Sequence, residues 1–255
     1  MARGRRYKRK QSKSRRATRW LLVVGILALA ALVAVICVER HRTVHSHIEI
    51  DREAYPVIGI DVSRNNGRID FEKVHDHGIA FVFIKSSEGV TFRDVTFKRH
   101  ALQARKAGLK VGAYHFFRKS LDGKRQAQNF LNAIGGTSLD MPLAIDVEDW
   151  NNDKRVPDRL VIERLRSMVN YLQGKHCKVM IYTNVHGYRK WIERHFSSLQ
   201  LWICSFTPPE KMTIEHRIQQ YSHWGTVDGV KGEVDLNVFN GSRAHWEQWL
   251  EGMVR

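Results

Sequence analysis

The stretch Met141-Pro142-Leu143-Ala144-Ile145-Asp146-Val147-Glu148-Asp149-Trp150 decides how the rest of the chain is read. A proline opens an apolar run that ends in acids, which reads as a buried strand carrying charge at its C-terminal end. Strand side chains alternate faces, so Asp146 and Glu148 project to one side while Val147 and Asp149 project to the other. Two carboxylates in one small region push one pKa up and leave the other ionised. Glycoside hydrolysis needs that pairing from its proton donor and its anionic partner. An isolated D-x-E also fits a strand running out into a solvated acidic turn, so the flanking sequence has to decide.

Outward from this stretch the pattern repeats. Residues 57–63 form an apolar strand whose one face ends in Asp61, and residues 79–85 form another that leads into Ser86-Ser87-Glu88-Gly89. A further strand is predicted over 110–117, with helices over 71–77, 97–107 and 126–134 between the strands. Downstream the spacing predicts a helix over 158–174, a strand over 178–183, and a helix near 188–196. Strands near 201–206, 217–222 and 234–239 follow, with a closing amphipathic helix over 246–253. Strand–helix alternation sustained in this way argues for an α/β parallel barrel or a doubly wound sheet, and the alternation lapses towards the end. In a barrel the chemistry gathers at the C-terminal strand ends. Asp61, Glu88, Asp146 and Glu148 all occupy such ends. With Tyr114, Phe116, Tyr182, Trp202 and Tyr221 from other strands they describe a carbohydrate cleft, although buried rings serve packing first.

The totals fit one barrel-sized domain plus an appendage. The chain has 255 residues, 43% of them hydrophobic, and a net charge of +16. Ten Lys and Arg and no acid lie within residues 1–19, which leaves +6 for the remainder. Residues 20–38 are apolar and uncharged, close to the ~20 residues that span a bilayer as a helix. The expected organisation is therefore a basic cytoplasmic tail (1–19), an uncleaved transmembrane anchor (20–38), a spacer (39–54) and an exported catalytic domain (55–255). A cleaved signal peptide is the rival, but the apolar segment exceeds a usual h-region and no small-x-small site follows it. The tail reads as an orientation signal and lipid contact more than as a nucleic-acid arm. Of the three cysteines, Cys37 falls in the apolar segment, while Cys177 and Cys204 could form a disulfide or remain two thiols. No Cys or His spacing suggests a metal site, no cofactor is expected, and His75, His77 and the other histidines fit exposed positions better.

Taken together, the motifs resemble those of glycoside hydrolase family 25, the Chalaropsis-type lysozymes. Gly59-Ile60-Asp61-Val62-Ser63, Phe83 to Gly89, and Gly112-Ala113-Tyr114-His115-Phe116 resemble the family's first three strands, and Asp146-Val147-Glu148 its D-x-E strand. Ile181-Tyr182-Thr183, Leu201-Trp202-Ile203, Gln220-Tyr221-Ser222 and Val234-Asp235-Leu236-Asn237 follow in family order. The resemblance implies a (β/α)5(β)3 TIM-like barrel that cleaves the β-1,4 bond between N-acetylmuramic acid and N-acetylglucosamine in peptidoglycan. It implies Glu148 as general acid, and Asp146 as the carboxylate that stabilises the cationic transition state or steers the substrate's acetamido group in a retaining reaction. It further implies cleft roles for Asp61, Glu88 and Asp235. In one place the sequence departs from the family: Asn65 stands where an aromatic residue usually precedes the turn. Two other readings remain at this stage, an inactive wall-binding protein and a glucosaminidase of chitinase-like chemistry.

Overall fold

The computed structural model describes residues 20–36 and 48–253, and the chain falls into two units, Met1–Ser46 and His47–Arg255. In the first unit, residues 20–36 form helix α1, whose apolar side chains are exposed. At 1.5 Å per residue its described part is roughly 25 Å long. Among the described residues no helix is long and apolar enough to cross a membrane. The expected span 20–38 runs past the described residues at its C-terminal end. The tail 1–19 and residues 39–47 of the spacer lie outside them altogether.

The second unit is built on β1 (Ile58–Val62), β2 (Ile79–Glu88), β3 (Phe92–Arg93), β4 (Lys110–Phe116), β5 (Leu143–Asp146), β6 (Val179–Asn184), β7 (Gln200–Cys204), β8 (Ile218–Gly225) and β9 (Val234–Phe239). Its helices are α2 (Phe71–Asp76), α3 (Phe97–Lys106), α4 (Gly123–Ile134), α5 (Asp158–Gln173), the short α6 (Val185–Gly187) and α7 (Arg243–Glu251). Around the sheet the order is β1-β2-β4-β5-β6-β7-β8-β9 and back to β1, and β3 adds a short antiparallel edge to β2. Every pairing from β1 to β8 is parallel, and β9 runs antiparallel to both β8 and β1. The sheet therefore closes on itself, which decides for a barrel over an open doubly wound sheet. An α-helix follows each of β1, β2, β4, β5 and β6 along the chain, with β3 between β2 and α3, none follows β7 or β8, and α7 comes after β9.

Strand alternation divides the apolar residues into two cores. Ile58, Ile60, Val62, Val82, Ile84 and Val111 face outward and pack with Phe71, Phe97, Phe130, Leu165 and Met168 of the helices. The other face fills the barrel with Phe81, Phe83, Met180, Tyr182, Trp202 and Phe239. Two glycines make room for the rings. A Cβ on Gly59 would lie 2.3 Å from the Phe81 ring, and one on Gly112 would lie 2.4 Å from that of Phe83. At the end of the barrel remote from the acids, Trp246 of α7 stacks on Phe81 (5.1 Å between centroids) and Trp249 packs on Phe239 (5.6 Å).

Helix starts follow their caps. Asp122 accepts from Arg125 N and begins α4 at Gly123, and Ser242 accepts from His245 N and begins α7 at Arg243, each three residues before its apolar periodicity predicts. The strand expected over 142–148 is regular only to Asp146. Val147 N still donates to Tyr182 O (2.9 Å), so Glu148 follows directly on the ladder.

Two expectations need correction, and one open alternative is decided. Tyr221 lies in the outer core against the helices, because its neighbour Gln220 takes the inward position on β8. Cys177 and Cys204 are both free thiols. His100, His115 and His216 are buried, although His75 and His77 are exposed as expected.

Candidate active site

The C-terminal ends of the parallel strands surround a cleft of about 740 Å³. Its floor is the top of the inner core. Trp202, 1% exposed, stacks on Phe83 (4.5 Å, 23°), meets Tyr182 at 4.6 Å, and donates its indole N–H to Asn237 Oδ1 (2.7 Å). Tyr182 donates its hydroxyl to Gln220 Oε1 (2.7 Å). Tyr114 lies edge-on to Trp202. These three rings line the cleft. Trp202 and Tyr182 are at the same time core, held by bonds to amide side chains.

Above this floor stand the acids Asp61, Asp146, Glu148 and Asp235. Asp61 and Asp235 face each other in the β1–β9 register. Asp61 Oδ2 accepts from both Gln220 Nε2 and Asn237 Nδ2, each at 2.8 Å. Burial raises the Asp61 pKa well above the ordinary carboxylate value and Asp235 adds to the rise, against the two amide donors. Asp146 is buried too, and its Oδ1 has no hydrogen-bond partner among the described residues. Its pKa is raised well above the ordinary value by burial and then by Glu148, while Lys85 pulls it down. Glu148 is half-buried, and burial lifts it to about 7; the His223 charge lowers it and Asp235 raises it. Asp146 and Glu148 therefore titrate as a pair that still holds a proton at neutrality.

His223 completes this side of the cleft. Its Nδ1 donates to Asp235 Oδ1 (2.8 Å) and its Nε2 lies 3.7 Å from Cys204 Sγ. The Asp235 bond first, and the Cys204 contact second, raise its pKa to about 10. A positive charge thus faces the acids at neutral pH.

Glu88 is a different kind of residue. It receives Lys85 Nζ (2.7 Å) and Arg118 Nε (2.8 Å). Burial would raise its pKa, but these two cations outweigh burial and hold it below the ordinary value. A carboxylate so paired is a poor proton donor and a good anchor. Through Arg118, whose Nη1 donates to Asn151 O, Glu88 fixes the loop that follows the D-x-E strand. Gln126 of α4 holds Arg118 from behind, accepting from Arg118 N (2.8 Å) and donating to Arg118 O (3.0 Å).

Two neighbours tie the same loop. Lys119, 1% exposed, pairs with Asp149 and sits 4.9 Å over the Trp191 ring. Asn152 Nδ2 donates to Phe117 O (2.9 Å) and to Glu148 O (3.0 Å), while its Oδ1 accepts from Lys119 N (3.0 Å). The backbone of Glu148 is thereby fastened to the end of β4.

With this geometry in place, comparison with known proteins decides the family. Residues 60–230 match the sequence profile described as Glycosyl hydrolases family 25. The chain belongs to that family.

Its resemblance to individual family members is moderate and long. The chain is 34% identical over 183 residues to the autolytic lysozyme of Clostridium acetobutylicum, covering 71% of this chain but 55% of that protein. It therefore spans about half the length of that relative. Lysozyme M1 of Streptomyces globisporus is 32% identical over 206 residues, covering 74% of this chain and 69% of the relative. Among solved structures, a family 25 glycosyl hydrolase from Bacillus anthracis superposes with a TM-score of 0.71 at 30% identity, covering 80% of this chain and 97% of that one.

Of the residues singled out from the sequence, Asp61, Glu88, Tyr114, Asp146, Glu148, Tyr182, Trp202 and Asp235 meet in this family 25 cleft, and Tyr221 does not. Sequence reasoning missed His223, Arg118, Lys119, Asn152, Gln220 and Asn237. Gln220 and Asn237 were legible in principle, because inward polar residues near strand ends need partners. Arg118, Lys119 and Asn152 lie on loops, where no periodicity marks them.

Proposed function

We propose that this chain is a membrane-anchored muramidase that cleaves the β-1,4 bond between N-acetylmuramic acid and N-acetylglucosamine in peptidoglycan. The observation that carries the reading is Glu148, a half-buried carboxyl at the rim of the barrel that keeps its proton to about pH 7, beside a buried Asp146 with an unpartnered oxygen. Glu148 donates its proton to the glycosidic oxygen as the bond to the anomeric carbon breaks. Asp146 orients the substrate's acetamido group, whose carbonyl oxygen attacks the anomeric carbon and forms an oxazolinium. Water then opens that ring from the same face as the departed sugar, giving up a proton to Glu148, so that configuration is retained. Asp61 and Asp235 line the cleft beside the position where the positive charge develops.

The anchoring half of the reading rests on the exposed apolar helix α1 and the ten basic residues that precede it in the sequence. Such a tether, with the catalytic unit exported, directs the enzyme to the wall of its own cell. The names of the lysozyme relatives support the substrate class.

Glu148→Gln keeps the shape and loses the transferable proton. Turnover on purified sacculi falls ~10² to 10⁴-fold with melting unchanged. Mass spectrometry of the wild-type digest finds N-acetylmuramic acid at the reducing ends, whereas N-acetylglucosamine there would make the enzyme a glucosaminidase. A Glu148→Gln variant that digests sacculi at the wild-type rate refutes the assignment of the acid.

A further inference from the structure

Trp150 lies two residues beyond the catalytic Glu148 and lines the cleft, yet 70% of it is exposed. A tryptophan ordinarily buries most of its large apolar surface, so an exposed one beside a functional site is an informative exception. The exposure is not that of a slack loop. Asp149 on one side is paired with the buried Lys119, and Asn151 on the other side is held by Arg118 through its carbonyl. Asn152 closes the loop back to Glu148 O and Phe117 O. Asn151 also has φ 52°, a backbone conformation that costs energy in a non-glycine residue and persists when its surroundings impose it. Asp149, Asn151 and Asn152 are thus fastened around Trp150 in a way that leaves its indole facing the cleft. Phe116 backs it edge-on, with centroids 6.3 Å apart and an interplanar angle of 84°. The indole N–H has no hydrogen-bond partner among the described residues.

We propose that Trp150 is a sugar-stacking platform, which binds the apolar C–H face of an N-acetylhexosamine ring in the subsite next to the bond being cleaved. A pyranose presents such a face together with hydroxyls, and the indole offers a flat apolar surface with one donor at its edge. The placement beside Glu148 selects a sugar of the glycan strand over the stem peptide, because the residue nearest the acid meets the rings that flank the scissile bond. Elsewhere Asn65 stands in the 3-10 turn Arg64–Asn66 and lines the cleft without a ring of its own. The proposal rests on the muramidase reading and adds to it the residue that grips the sugar.

Isothermal titration with a soluble N-acetylglucosamine–N-acetylmuramic acid oligosaccharide tests it in the Glu148→Gln background, where the ligand survives. Adding Trp150→Ala weakens binding roughly 10-fold, and adding Trp150→Phe, which keeps a ring, recovers most of the loss. With Glu148 intact, Trp150→Ala raises KM on sacculi more than it lowers kcat, and its melting temperature stays near that of the wild type because the side chain is already in water. If the wild type digests sacculi and Trp150→Ala binds the oligosaccharide as tightly as its parent, the platform is refuted and the muramidase reading stands. If the wild type neither binds nor digests, both fall together.

Discussion

Asn152 carries no charge and lies outside the group of acids, yet the geometry makes turnover depend on it. Its side chain makes three hydrogen bonds, to Phe117 O, to Glu148 O and from Lys119 N, and Asn152→Ala removes all three. At roughly 0.5 to 1.5 kcal/mol for each bond, the loss is about 2 to 4 kcal/mol, and the residue's half-buried position favours the lower end. For a domain of this size that lowers the melting temperature by roughly 4 to 8 °C. The effect on catalysis is larger than this stability change suggests. The Glu148 carbonyl loses its tie to the end of β4, and a displacement of the acid by ~1 Å costs up to ~100-fold in rate. The alkaline limb of the rate profile stays near pH 7, because the acid remains buried in the cleft and Asn152 is not among the charges around it. Thermal melts and saturating-substrate turnover on sacculi across pH separate these effects. A variant with a lowered melting temperature and wild-type kcat would show that Glu148 finds its position without Asn152, and the reasoning would fail.

In the wild type, activity falls as pH rises through about 7, where Glu148 loses the proton it must donate. His223→Gln removes the charge that holds that pKa down, so the alkaline limb moves to higher pH; a shift to lower pH would contradict the arrangement. The raised His223 pKa means that its pairing with Asp235 stabilises the fold fully below the unfolded value near 6.5 and is lost as pH rises through about 10. Trp202→Ala costs about 3 to 5 kcal/mol in urea unfolding because the ring is core as well as cleft floor, whereas Tyr221→Phe leaves KM unchanged because that ring faces the helices. For the anchor, the full-length protein stays with membranes after a high-salt wash, and a reporter fused after Arg255 is active only outside the cytoplasm; recovery in the soluble fraction would count against it.

The sequence makes the barrel legible because its strands obey a rule with two outcomes, apolar outward and either apolar or functional inward. Asp61, Asp146 and Glu148 stand out as charges where the inward series ends. The same rule places Tyr221 outward, since Gln220 precedes it with its amide on Asp61. Reading rings as cleft residues by type overrode the alternation there. His223 escaped notice because the β8–β9 register shifts twice, between Gln220 and Ser222 and again before Gly225, so simple alternation fails along that strand. Glu88 was legible as an acid at a strand end, but its role was not. Lys85 is a local partner three residues away, while Arg118 lies 30 residues distant on a loop. The thiols were undecidable, since sequence spacing carries no distance between Cα atoms.

The antiparallel strand β9 sets a condition on when this enzyme can exist. Asp61 is laid down early in synthesis, but its amide donor Asn237 comes 176 residues later, and its opposite number Asp235 arrives with it. A growing chain can assemble strands and helices in order and still lack one of its four cleft acids, and an amide donor to another, until nearly the last residues emerge. Such late long-range pairing slows folding, because distant segments must meet before any contact rewards them. For a hydrolase, the delay has a consequence. The chain passes through synthesis without a complete cleft, and the acid cluster is whole only once β1 and β9 have met.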